Sequence, residues 1–301
     1  MTKSERQDRA REERSLEVCK RNDMVQKARF SLSIQEQRTI LYAISKIQPE
    51  DTHLKEYTFE IKDFYTMIGW EKQSYTEFKA MLKALSDKSW WITIKREDGT
   101  EFESLVRWFT TVRSDKRSGK VTVKFHEDMM PFLLQLAQGE EFYTSYKLQY
   151  VLPMSSQYSP RLYELLKSYQ FNNKQWFFEI DELKHKLDCE SYTNFADFKR
   201  RALDPAVEEI NKYTDIVIDY RTEKEGRKIV RIIFFMAKKT KSEILETERT
   251  IENMFEQMDI YEIAAEAKAS TGAGFFAERR RIEAEEQALQ DRLRSTYSKK
   301  G

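Results

Sequence analysis

The run NFADFKRRAL sets three adjacent cations, Lys199, Arg200 and Arg201, between the acids Asp197 and Asp204. On a helix of about 100° per residue, Phe195, Phe198 and Ala202 gather on one side. Arg200 then points nearly opposite, with Lys199 and Arg201 flanking it. A guanidinium so placed can contact guanine through two donors, while flanking cations reach phosphates. The bland alternative is a solvated helical face, and the two aspartates favour it. Asn194, at the start of the run, is a further candidate for a base contact. A second cluster, RTEKEGRKIVR, puts Arg221, Lys224, Arg227, Lys228 and Arg231 around Gly226. That pattern suits a hairpin tip resting on phosphate. Glu223 and Glu225 dilute it, and exposed hairpins also carry Lys to deter edge pairing. Earlier in the chain Lys79 and Lys83 lie on a helix, and RSDKRSGK brings Arg113, Lys116, Arg117 and Lys120 to another tip. There the expected role is a grip on the DNA backbone.

Catalytic chemistry is poorly represented. The three histidines, His53, His126 and His185, are not paired at ligand spacing, so no metal site is expected. No glycine-rich phosphate loop ending in GK[ST] occurs, and no carboxylate pair stands out as an acid–base couple. No catalytic residue and no cofactor are expected. Cys19 and Cys189 are far apart and lack metal spacing, which fits a reducing compartment. The first twenty residues are too polar for a signal peptide, and no window approaches a membrane span. A soluble cytoplasmic protein is the expectation. Charged residues make up 34% of the 301, yet the net charge is +1. Overall charge therefore names no partner, and a binding surface must come from local placement.

The elements that carry these residues repeat. Phe59-Glu60-Ile61 returns as Phe178-Glu179-Ile180, and Ser74-Tyr75-Thr76 returns as Ser191-Tyr192-Thr193. In the first copy, Ser33 and Glu36 have capping-box spacing ahead of a helix. EYTFEI follows as a strand, then a short helix from Asp63 to Gly69. Ser74 and Glu77 open a third helix with Phe78, Met81, Leu82 and Leu85 on one face. Strands then turn at Asp98-Gly99 and Ser118-Gly119, and a helix near Met129–Leu136 closes the copy. In the second copy, Ser159-Pro160 starts a helix buried through Leu162, Leu165, Leu166 and Tyr169. WFFEI is its strand, Asp181–Leu187 its short helix, and DIVIDYR with KIVRIIFFM its hairpin. Pro205 predicts a kink or break in the third helix, with 206–211 as a separate packed turn.

Helix–strand–helix–helix–hairpin is the plan of a winged helix. The expected fold is therefore α+β, two tandem winged-helix domains related by internal duplication plus a charged helical C-terminal extension. The expected boundaries are 1–22, a disordered charged tail; 23–145; 146–239; and 240–301. In the last, Ile251, Met254, Phe255, Met258 and Ile260-Tyr261 form an apolar row that could dock a partner, although a solvated helical tail is the plainer reading.

Five stretches resemble the iteron-binding plasmid replication initiators, the Rep proteins with two tandem winged helices. They are NDMVQKARFSLSIQEQRTILYAISKI at 22–47, YTFEIKDFYTMIG at 57–69, SPRLYELLKSY at 159–169, FEIDELKHKLDC at 178–189 and FADFKRRALDPAVEEIN at 195–211. The resemblance implies a bacterial protein that binds direct repeats in double-stranded origin DNA, helps open the duplex and recruits host initiator and helicase proteins. It implies sequence reading by the second domain, through Lys199, Arg200 and Arg201. It also implies dimerisation and backbone contact by the first, with Lys79 and Lys83 on the equivalent helix. Monomers would act on iterons, and dimers would repress the protein's own gene. Two rival classes are a transcriptional repressor on the same fold, which would bind an inverted repeat and melt nothing, and a DNA-nicking enzyme, which would need a metal.

Overall fold

The computed structural model describes residues 3–68, 74–96, 98–136, 142–170 and 174–270. It divides into one unit ending at Glu252 and a second beginning at Asn253. Helix α3 (Ile34–Ser45) begins with the expected capping box: the Ser33 amide donates to Glu36 Oε2 at 2.7 Å and Ser33 Oγ accepts from the Glu36 amide at 3.4 Å. Strand β2 (Tyr57–Glu60), helix α4 (Ile61–Ile68) and helix α5 (Tyr75–Asp87) follow. Ser74 Oγ accepts from the Glu77 amide at 3.2 Å. Gly69, expected to end α4, lies outside the described residues. These elements close on an aromatic core. The rings of Tyr42 and Phe59, and of Phe64 and Phe78, meet with centroids 5.1 Å apart. Such pairs add about 0.5–1.5 kcal/mol each to the stabilisation that comes from buried area.

Two hairpins follow. Strands β3 (Ser89–Lys95) and β4 (Glu101–Arg107) form a sheet of their own, while β5 (Phe109–Asp115) and β6 (Lys120–Phe125) join β2 in the order β2–β6–β5. Gly99 and Gly119 occupy the turns with φ of +85° and +68°, where a side chain would be strained. The closing helix is shorter than its expected span. It consists of a 3-10 turn at Glu127–Met129 and α6 (Met130–Leu133), and Gln135 then adopts φ +52°, which no continuing helix permits.

The second copy has the same plan. Helix α7 (Ser159–Gln170), strand β8 (Gln175–Glu179) and helix α8 (Ile180–Lys186) lead to a compound third helix. This is built from α9 (Phe195–Phe198), a π-helical turn (Lys199–Leu203) and α10 (Asp204–Tyr213). Strands β9 (Ile216–Glu225) and β10 (Lys228–Lys238) complete a sheet ordered β8–β10–β9, the same first–third–second order as β2–β6–β5. Gly226 turns this hairpin with φ +60°. Helix α7 begins at Ser159, but the Ser159 hydroxyl is buried without a hydrogen-bond partner, so the cap expected from it is not made. Nor is α7 buried on one face alone: Arg161 and Glu164 are interior together with Leu162, Leu165 and Leu166.

The expectation of a disordered tail over residues 1–22 is corrected. Residues Lys3–Arg14 form helix α1, Glu17–Arg21 form strand β1, and Asn22–Lys27 form helix α2. Several of the charges that suggested disorder are spent inside the fold. Arg14 donates to the carbonyls of Met67 (2.8 Å) and Thr66 (2.9 Å), the orphan acceptors at the end of α4. Arg6 Nε bonds Asp63 at 3.0 Å, and Glu13 accepts from Tyr42 (2.6 Å) and Lys46 (2.7 Å). Strand β1 pairs antiparallel with β7 (Tyr143–Lys147), Glu17 opposite Lys147 and Arg21 opposite Tyr143. Behind it Lys20 forms an ion pair with Glu164, each about 4% exposed, and Tyr146 also donates to Glu164. Arg161 reaches the Ala28 carbonyl and Lys186 the Gln26 carbonyl (2.6 Å), so α2 packs on the second copy as well as against β3 of the first. The boundary expected between 145 and 146 thus falls inside β7.

Helix α11 (Lys241–Ser270) begins at a cap the sequence reading overlooked: Thr240 Oγ1 accepts from the Glu243 amide at 3.4 Å and the Thr240 amide donates to Glu243 Oε2 at 2.7 Å. Its first turns belong to the main unit. Glu248 accepts from Lys147 (2.7 Å) and Tyr150 (3.1 Å), and Ile251 is buried. The apolar row expected to dock a partner therefore begins with a residue already spent inside the chain. The side chains of Ile260 and Tyr261, and the whole of 271–301, lie outside the description.

Candidate nucleic-acid interface

The third helix of the second copy starts at Asn194, an N-cap whose Oδ1 accepts from the Asp197 amide at 2.8 Å and whose Nδ2 donates to Asp197 Oδ2 at 2.7 Å. Its amide is therefore occupied at the helix start. Pro205 does not break the helix. A proline here would remove a helical N–H and crowd the carbonyl four residues back. The chain relieves this by widening one turn: the Asp204 amide bonds the Lys199 carbonyl, five residues back. One extra residue in the turn rotates the later positions by about 100°. That accounts for the burial of Phe198 and Ala202 before the shift, and of Leu203, Ala206 and Ile210 after it. The expected break with a separate turn at 206–211 is replaced by a continuous helix with two packing registers.

The cations lie on this widened turn. Arg200 is 69% exposed, and its Nη2 donates to Asp197 Oδ1 at 3.0 Å. Arg201 Nε stands 3.7 Å from the same oxygen. Lys199 is ion-paired with Asp204, which also accepts from Tyr220 of β9 at 2.6 Å. Bonds from Asn194 and then Arg200 hold the Asp197 carboxyl below its ordinary range. Burial would raise the Asp204 carboxyl, but the bonds from Lys199 and Tyr220 outweigh it. The helix is fixed to its hairpin by Asn211, whose amide bonds both the carbonyl (2.9 Å) and the N–H (2.7 Å) of Ile218. Neither Asn211 nor Tyr220 was singled out from sequence, because their partners lie on β9 and α10, respectively, and not on neighbouring turns.

The hairpin cations divide into two sets. Arg231 is held by Glu179 (2.7 Å) and Glu223 (3.1 Å), and Arg221 stands 3.8 Å from Glu223. Lys224, Arg227 and Lys228 surround Gly226, are exposed, and make no ion pair or side-chain hydrogen bond with the described residues. In the first copy, Lys79 and Lys83 are exposed on α5 beside an open groove of about 450 Å³ that also takes in Thr76, Ser86 and Ser114. Lys116 and Arg117 are exposed at the β5–β6 tip, where Asp115 accepts from the Arg117 amide and Ser118 Oγ. Arg113 is paired with Glu56 at 2.5 Å. Among the described residues no group of three or more His, Cys, Asp or Glu could hold a metal ion, and no helix is long and apolar enough to cross a membrane.

Two winged helices in tandem, each with exposed cations on its third helix and at a hairpin tip, place the chain in the double winged-helix class. Comparison with known proteins narrows the class. The chain belongs to the initiator replication protein family: the family model described as Initiator Replication protein, WH1, matches residues 17–167, and that described as Initiator Rep protein, WH2, matches 179–236. The family is the one expected from the five stretches of sequence. The chain is 34% identical over 131 residues to the PI protein of Escherichia coli, an alignment covering 38% of this chain and 43% of that relative. It thus spans less than half the length of the curated relative it matches. A solved structure of the Pi initiator protein in complex with iteron DNA aligns at a TM-score of 0.59 and 23% identity, over 75% of this chain and 99% of that one. This likeness establishes the shared fold.

Proposed function

We propose that this chain initiates plasmid replication by binding repeated sites, iterons, in double-stranded origin DNA. The observation that carries the reading is the joint placement of two kinds of cation on one rigid element pair. Arg200 and Arg201 project from the groove-sized helix, and Lys224, Arg227 and Lys228 stand free on the adjoining hairpin. Helix cations suit base edges and free tip cations suit phosphates. Family membership and the iteron complex of the related Pi protein support the same reading. In the first domain Lys79, Lys83, Lys116 and Arg117 contact backbone. That domain also carries the dimer contact, on the outer face of β3–β4. There Trp91 and Leu105 lie opposite each other in register and are 59% and 53% exposed. Recruitment of host initiator and helicase proteins and repression of its own gene complete the proposed role.

The test is selection of bound duplexes from a randomised pool, followed by footprinting and permanganate probing of the DNA that flanks the gene. The reading expects one selected sequence to recur as direct repeats there, with an adjacent AT-rich segment that becomes single-stranded when the protein binds. Selection of an inverted repeat with no melting overturns it in favour of a repressor.

A further inference from the structure

The two cation groups of the second winged helix are built on opposite principles. At the hairpin tip Lys224, Arg227 and Lys228 have no carboxylate partner among the described residues, whereas Lys199, Arg200 and Arg201 each have one. Asp197 serves both arginines from one turn earlier. It is not a loose surface acid, because Asn194 holds it through both its amide N–H and Oδ2. Arginines drawn to it are directed towards the N-terminal end of the helix, the end that faces base edges in helix-turn-helix readers.

The electrostatic consequence follows from how duplex DNA attracts protein. Random binding comes almost wholly from cations that neutralise phosphates and release counterions. An arginine already neutralised by a fixed carboxylate gains little there, since it exchanges one anion for another. A guanine edge is neutral. Its O6 and N7 can accept from a guanidinium that keeps its carboxylate, because the Arg200 bond to Asp197 uses one of five N–H donors. Resting on the reading of α9–α10 as the groove helix, we propose that Asp197 is a specificity-determining positioning residue. It aims Arg200 and Arg201 at bases and lowers their attraction for phosphate, so the protein separates its repeat from random DNA chiefly by weakening the latter.

The experiment compares the full chain with its Asp197→Asn variant on a duplex selected from a random pool and on a scrambled duplex, across about 0.1–0.4 M salt. One extra phosphate neutralised steepens the slope of log K against log salt by about 0.9, which is about fivefold in affinity at 0.15 M. The expected result is that gain on the scrambled duplex, a smaller one on the selected duplex, and a lower specificity ratio. Asp197→Glu, which keeps the charge within reach, restores the ratio; a purely structural role would instead lower Tm and leave the scrambled slope unmoved. An equal gain on both duplexes, or no change on either, overturns the proposal. Arg200→Ala separates the two levels. If it weakens the selected duplex alone while Asp197→Asn leaves the ratio intact, the groove helix stands and the role of Asp197 falls. If Arg200→Ala and Arg201→Ala also change nothing, the groove-helix reading falls with it.

Discussion

Replacing Lys224, Arg227 and Lys228 together by alanine removes the unpartnered cations of the second hairpin and little else. The three side chains are exposed, the Gly226 turn keeps its φ of +60°, and no ion pair of the described fold is broken. Stability should therefore change by no more than about 0.5 kcal/mol. Binding should change far more. If each cation meets one phosphate, the salt slope flattens by about 2.7 and affinity at 0.15 M falls about 5.5-fold per residue, or roughly 170-fold in all. Fluorescence anisotropy titrations at several salt concentrations measure both quantities. A phosphate contact carries no sequence information, so selected and scrambled duplexes should lose the same factor. A slope within half a unit of the parent would refute the placement of the hairpin on the backbone, and loss confined to the selected duplex would make the hairpin a base reader.

Lys20→Met leaves Glu164 charged and buried beside Tyr146, and should cost about 3–5 kcal/mol in urea unfolding, most of it recovered when Glu164→Leu is added; an unchanged midpoint in the single variant would show that the pair contributes nothing. For Glu13, burial alone would raise the pKa, but hydrogen bonds from Lys46 and Tyr42 lower it below the ordinary 4.5. Its folded pKa is thus below its unfolded one, so its contribution is complete above about pH 4.5 and is lost as pH falls through the folded value. Glu13→Gln should accordingly be less stable than the parent at pH 7, with the gap narrowing below pH 4.5; a gap constant with pH would mean that the charge is not what matters. Trp91→Ser with Leu105→Ser should turn dimers into monomers in sedimentation without loss of folding, and persistence of the dimer would move the contact away from β3–β4.

What could be read in the sequence was what depends on near neighbours. The Ser33–Glu36 box, the apolar face of α5, and the turns at Gly99, Gly119 and Gly226 are set by residues within a few positions of one another. The first 22 residues misled because composition counts charges and not their partners. Arg14 finds its acceptors more than fifty residues away, at Thr66 and Met67. Pro205 correctly marked a perturbed helix. Whether the helix broke or widened was decided by packing of Leu203 and Ala206 and by the Asn211 tie to β9, none of which is visible along the chain. The cations of the interface were legible as residue types. Their division into paired and free sets was not, because Tyr220, which secures Asp204, lies sixteen positions further on and Glu179 lies fifty-two before Arg231.

The pairing of β1 with β7 also governs the order in which the molecule can be assembled as it is made. Glu17 lies opposite Lys147, about 130 residues later. At about 5–20 residues per second of synthesis, β1 waits roughly 6 to 26 s for its partner strand. The delay is longer for Lys20, whose charge stays in water until Glu164 emerges, and for α2, which must await α7. The aromatic centre formed by α3, β2, α4 and α5 can gather well before that. Strand β1 is thus among the last elements to be incorporated, although α1 just before it can already dock on α4, and a nascent chain stalled before residue 143 holds a first domain whose β1 has no strand to pair with.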